Sequence, residues 1–112
     1  MPEVHRTDGA ELDLLDIMDY LARRSRRALN RFAAELDRAA KQHARFPLMG
    51  RSVEHLLPGM RRFLVGDYIV FYQPSSVGIL ILRVLHHARD LGAVFPREAD
   101  SPEADEQPGE GT

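Results

Sequence analysis

Cysteine is absent from this chain of 112 residues, and that absence removes two architectures. No disulfide framework can staple the fold, and no thiolate site can hold zinc. Long apolar runs are missing too, since nothing approaches the roughly 20 residues a membrane span needs. The opening stretch MPEVHRTDGAELD has no apolar segment of the kind a secretory signal requires. Together these absences predict a soluble, cytoplasmic protein with no membrane contact. No Gly-rich phosphate loop, nucleophile triad or paired acid–base carboxylate motif occurs. The length allows one domain, residues 1–95, in which burial of about two-thirds of the unfolded surface suffices for one helix-on-sheet core.

The formal charge of −2 hides an asymmetry. Residues 96–112 hold Arg97 against six acids, Glu98, Asp100, Glu103, Asp105, Glu106 and Glu110. That segment carries −5, which leaves the preceding residues at +3. Rich in Pro, Gly and acid, it reads as a disordered acidic tail. It is either a solubilising end or an internal mimic of an acidic partner laid over a basic patch.

Hydrophobic periodicity orders the rest. Residues 3–7 read as a short edge strand. Asp8 and Glu11 have capping-box spacing at the start of a helix. Leu12, Leu15, Met18 (or Ile17) and Leu21 then recur at helical spacing, with Asp13, Asp16 and Asp19 expected on the solvated side. Ser25, between Arg23-Arg24 and Arg26-Arg27, marks a break or a new N-cap. A second stripe runs through Leu29, Phe32, Ala33, Leu36, Ala39, Ala40 and His43. Pro47 and Gly50 end it, giving an αα-hairpin.

Beyond Gly50 the period falls from 3.6 to 2. Residues 61–65, 68–73 and 79–87 are rich in Val, Ile, Phe and Tyr, and read as strands. The turns at Gly66-Asp67 and at residues 74–78 make an antiparallel meander of them. Helices first and strands after predict an α+β fold with the hairpin packed on one face of the antiparallel sheet. Alternation puts Leu80, Leu82 and Val84 on one face of the last strand and Ile79, Ile81, Arg83, Leu85 and His87 on the other. Both faces are partly apolar and two helices can cover only one. The remaining face is then a binding groove or a subunit contact.

Four stretches carry a family resemblance: Leu14 to Leu21, Phe46 to Arg51, Gly66 to Tyr72, and Ile81 to Leu91. In this order they resemble the RelE/ParE superfamily of type II toxin–antitoxin toxins, and its ParE-like, plasmid-stabilisation branch above all. The family fold of short strand, helix hairpin and curved sheet coincides with the one read from periodicity. The resemblance implies a bacterial toxin bound by a cognate antitoxin, in a toxin–antitoxin hetero-oligomer, with neither cofactor nor metal.

Two activities divide the superfamily. RelE-like members cut mRNA on the ribosome, using a cluster of basic residues and a proton-transfer group, often a tyrosine near the C-terminus. ParE-like members inhibit DNA gyrase. Phe95 aligns where the RNase branch often has its tyrosine, and Ile69 falls near a position where a catalytic arginine is often found. Neither side chain can do that chemistry, which favours gyrase inhibition or an inactive homologue that binds antitoxin. If a nuclease survives, Arg61, Arg83, His87 and Arg89 are its candidates. Antitoxin or target binding is assigned to Arg61, Arg62, Arg83, His86, His87 and Arg89.

Each residue also has a plainer reading. Arg61 and Arg62 are adjacent in a strand and point to opposite faces. Arg83 sits where burial demands an acidic partner, Asp67 or Asp90. His86 and His87 diverge as strand neighbours and complete no metal site. Arg89-Asp90 closes the sheet onto a last turn. His5, His43 and His55 read as surface or boundary residues, and the Arg23–Arg27 cluster as a solvated face.

Overall fold

A computed structural model describes residues 1–88 and 94–95. Arg89, Asp90 and the acidic segment 96–112 therefore lie outside the described residues. Seven elements follow in order: β1 (Glu3–Arg6), α1 (Asp8–Arg24), α2 (Arg26–Arg45), β2 (Arg51–Ser52), β3 (Arg61–Val65), β4 (Tyr68–Pro74) and β5 (Gly78–His86). The sheet runs β1-β5-β4-β3-β2. The antiparallel meander β3–β4–β5 is as the sequence predicts. β1 joins it parallel to β5, from Glu3 opposite Gly78 to Arg6 opposite Ile81, so the sheet is mixed. The short β2 pairs with β3 and had no signal in the sequence pattern.

The first helix begins one residue ahead of the expected cap. The Thr7 hydroxyl accepts from the Ala10 N–H at 3.1 Å and donates to the Leu82 carbonyl at 2.7 Å, capping α1 and tying its start to β5. Glu11 pairs outward with Arg6 at 3.1 Å instead of closing a capping box. The buried face of α1 is also rotated from the expected one. Ala10, Leu14 and Ile17 face the core, while Leu12 and Leu15 are 63% and 64% exposed. Asp13 explains the rotation: its spacing predicts a solvated position, yet it points at the sheet.

Asp13 is the acceptor for three donors on β5. The Arg83 Nε and Nη2 reach its two carboxylate oxygens at 2.7 and 2.9 Å, and the Val84 N–H adds a third bond at 2.9 Å. Asp13 is thus the acidic partner of Arg83 among the described residues, in place of Asp67, while Asp90 lies outside them. The hydrogen bond from Arg83 to Asp13 raises the guanidinium pKa further above its usual value, against the opposing effect of burial.

Ser25 alone separates the two helices and is the N-cap of α2, its hydroxyl accepting from the Ala28 N–H at 3.2 Å. The second stripe is buried as predicted at Phe32, Leu36 and Ala40. His43 belongs to the core and not to the surface. It is 7% exposed, donates from Nδ1 to the Ala39 carbonyl at 2.8 Å and stacks on Phe63 at 4.1 Å.

A β-bulge changes which faces β5 presents. Phe71 lies opposite Arg83 and Tyr72 opposite Ile81, so Leu82 is the extra residue. Simple alternation groups Val84 with Leu82; past the bulge Val84 joins Ile79 and Ile81 in the helix-side core. The other face holds a second cluster: Ile69, Phe71 and Leu85 beneath Val53, Met60 and Phe95. The face the helices leave free is thus partly roofed by the loop between β2 and β3 and by Phe95.

Tyr72 fixes how the helices hand over to the sheet. Fully buried, its hydroxyl donates to the Pro47 carbonyl at 2.6 Å and accepts from the Gly50 N–H at 3.0 Å. A side chain at position 50 would collide with that hydroxyl and lie 2.9 Å from the Arg62 carbonyl oxygen. Glycine is required there by close approach.

Two predictions follow from this packing. Asp13→Ala leaves a half-buried guanidinium and the Val84 N–H without their acceptor, and costs roughly 1–3 kcal/mol in denaturant unfolding. A double-mutant cycle with Arg83→Ala gives a favourable coupling between the two residues; additive effects would deny that the pair anchors α1. Burial raises the Tyr72 pKa, only partly offset by the Gly50 N–H and the Arg61 charge. Its folded pKa exceeds the unfolded value of about 10, so the stability tied to the neutral phenol is complete below pH ~10 and lost as pH rises beyond it. The melting temperature of Tyr72→Phe is accordingly lower at pH 8 and falls less steeply between pH 9 and 11 than that of the parent.

Candidate functional site

The candidate residues are dispersed by the strand geometry that carries them. In β3, Phe63 and Val65 face the helix-side core, so Arg61 faces that side and Arg62 the other. Arg61 is already engaged: its Nη1 donates to the Leu48 and Gly50 carbonyls at 3.1 and 2.7 Å, holding the segment after α2 against the sheet. Arg83 is held by Asp13. Of the three strand arginines named from sequence, Arg62 alone presents its guanidinium on the outer face without an ion pair among the described residues.

The histidines occupy the far end of β5. His86 lies edge-on to Tyr68 with ring centres 5.5 Å apart, and its Nδ1 accepts from the Ala88 N–H at 3.2 Å. His87 stacks on His86 at 4.5 Å, while its backbone N–H donates to the Asp67 carbonyl at 3.0 Å. His86 lies three positions along β5 from Arg83, the register partner of Phe71, about 10 Å at the usual rise per residue. Tyr20, Arg24, Asp67 and Tyr68 surround His86 in a separate hollow. Burial first, then the nearby Tyr20 and Asp67, push the Tyr68 phenol upward, so it is a neutral donor at physiological pH. Arg61, Arg83 and His87 therefore form no convergent cluster, and Arg89 lies outside the described residues.

The two positions that argue against RNA cleavage are both part of the second core. Ile69 is 5% exposed and Phe95 8%, and the Phe95 ring meets Phe71 edge-on with centres 4.8 Å apart. Phe95 thus acts as an apolar anchor with no ionisable hydrogen.

The outer face does contain a basic row that sequence reasoning missed. Arg51 on β2 stands directly opposite Arg62 on β3, and Arg62 opposite Phe71 on β4. With His55 and Leu56 these residues line an open groove of about 450 Å³. Arg51 gave no sequence signal because its role depends on a two-residue strand. Among the described residues no group of His, Asp and Glu is arranged to hold a metal, and no helix is long and apolar enough to cross a membrane.

A helix hairpin on one face of a five-stranded mixed sheet, with a basic, partly roofed opposite face, defines the RelE/ParE-like α+β class. Comparison of the sequence with known proteins narrows this. The sequence model of the family described as the ParE toxin of the type II toxin–antitoxin system, parDE, matches residues 4–91, and the chain belongs to that family. Toxin ParE1 of Mycobacterium tuberculosis strain CDC 1551 / Oshkosh is 31% identical over 61 residues, 54% of this chain and 62% of that protein. Toxin ParE1 of strain ATCC 25618 / H37Rv matches to the same extent. The aligned part thus spans less than two-thirds of the length of these curated relatives.

The contrast between the adjacent arginines gives a prediction. Arg61→Ala removes two hydrogen bonds to backbone carbonyls and costs about 1 kcal/mol in stability. Arg62→Ala relieves the like-charge opposition with Arg51 and is neutral or slightly stabilising. Thermal melts of the two variants check this, and equal losses would contradict the division of roles between the two faces.

Proposed function

We propose that this chain is the toxin of a toxin–antitoxin module, held inactive in a hetero-oligomer by a cognate antitoxin, and that when free it inhibits DNA gyrase in the cytoplasm. The observation that carries this reading is the commitment of the would-be catalytic groups to the fold. Arg61 holds backbone carbonyls, Arg83 holds Asp13, and a buried phenylalanine occupies the position of the proton-transfer tyrosine. A ribosome-dependent endoribonuclease needs cations and a proton donor aimed at one scissile phosphate. A protein that acts by binding needs only a surface. ParE-family membership supports the gyrase target and an antitoxin, and the basic outer face suits a partner that supplies acid and apolar side chains.

Pulse-labelling of DNA and protein synthesis in bacterial cells, within minutes of inducing the chain alone, tests the reading. DNA synthesis falls first, and the purified chain blocks supercoiling by gyrase. An earlier fall in translation would replace this reading with mRNA cleavage on the ribosome. Unaffected synthesis of both would leave an inactive homologue that binds antitoxin.

A further inference from the structure

The basic row on the outer face is built in a way that calls for an anion. Arg51 and Arg62 are directly opposed across an antiparallel pair, an arrangement in which like charges disfavour the strand pairing itself. Among the described residues neither guanidinium has a carboxylate partner. The nearby Glu54 is turned away, accepting from the Gly59 N–H at 3.0 Å. Beside the two cations the groove offers apolar wall from Val53, Leu56 and Phe71. Two neighbouring cations without a carboxylate partner fit an acidic peptide.

The described chain reaches the edge of this groove at Phe95, and an acidic segment follows in the sequence. Phe95 packs against Phe71, and Phe71 is both a groove wall and the register partner of Arg62. The sequence after Phe95 is PREADSPEADEQPGEGT, with six carboxylates against one arginine. Going from β4 to β2 crosses two strand spacings, about 10 Å. Three extended residues span about 10 Å as well, so Glu98 has the reach for Arg62, and Asp100 for Arg51.

We propose that the Arg51–Arg62 groove is an acidic-peptide site whose occupant is this chain's own segment 98–106. The segment and any acidic partner that docks there compete for the same two guanidinium groups. The rival landing place is the helix-hairpin turn. Arg23 there is paired with Asp19 at 2.7 Å and Arg24 is hydrogen-bonded to Tyr20, which leaves Arg26 and Arg27 as its outward cations. The groove is favoured because it adjoins the point where the segment begins. This inference does not depend on the cellular target.

The cysteine-free chain makes the test direct. Ser101→Cys gives one attachment point for a nitroxide on the full-length protein, read by amide relaxation enhancement in low salt. Amides of Arg51, Ser52, Arg62 and Leu64 lose more than half their intensity relative to the reduced label. Charge reversal by Arg51→Glu with Arg62→Glu removes the effect. Replacing Glu98, Asp100, Glu103, Asp105 and Glu106 by their amides does so too, and leaves the folded part untouched. Weak, uniform broadening, or broadening centred on Arg26 and Arg27, would overturn the proposal. So would broadening that survives both sets of substitutions. Broadening seen only on isotope-labelled copies lacking the nitroxide, when mixed with nitroxide-bearing unlabelled copies, would assign the groove to a second molecule and overturn it equally.

Discussion

One carboxylate holds the two layers of this protein in register. Asp13 accepts from the Arg83 Nε and Nη2 and from the Val84 N–H, which satisfies most of what a nearly buried carboxylate demands. Because all three donors lie on Arg83 and Val84, directly after the bulge residue Leu82, the same group that docks α1 also braces the irregular part of β5. The bulge turns Val84 toward the helices and leaves Leu82 and Leu85 to the opposite cluster. Without it, the apolar side chains of β5 would be divided differently between the two faces.

The outer face then acquires its character by subtraction. The loop between β2 and β3 and Phe95 cover its centre with apolar side chains. Arg61 and Arg83 are drawn inward or sideways to fixed acceptors. What remains accessible on it is Arg62 with Arg51 and a hydrophobic margin at Leu64, 62% exposed. Exposed cations on a rigid sheet recognise a partner's charge and shape without needing proton-transfer geometry. The ParE-family membership of the chain and this outer face are consistent at that level.

Much of the architecture was legible in the sequence because it rests on local chemistry. Ser25 announces a helix start by its side chain, and the strands announce themselves by β-branched and aromatic runs. The turn at Gly66-Asp67 is equally local. The failures are non-local. Asp13 looks solvated until Arg83, 70 residues away, is brought against it. The bulge depends on how β4 and β5 align, and no one-dimensional alternation marks it. His43 sits on the predicted apolar stripe, but its polar identity argued for the boundary; the Ala39 carbonyl and the Phe63 ring account for its burial. Arg51 acquires meaning only from the residue across from it. At the candidate site, sequence reasoning correctly separated Arg61 from Arg62, because period 2 requires it, but could not say which one the fold would use up.

The parallel pairing of β1 with β5 has a consequence for the order in which the chain is made. Residues Glu3 to Arg6 are synthesised well before their sheet neighbours, Gly78 to Ile81. Thr7 waits for a carbonyl 75 residues later in the chain. The helical hairpin can form from local contacts alone, whereas the first strand must stay unpaired until β5 has been synthesised and released. Synthesis that stops before β5 therefore leaves the first strand without its neighbour, and the five-stranded sheet comes into being only once β5 has been made.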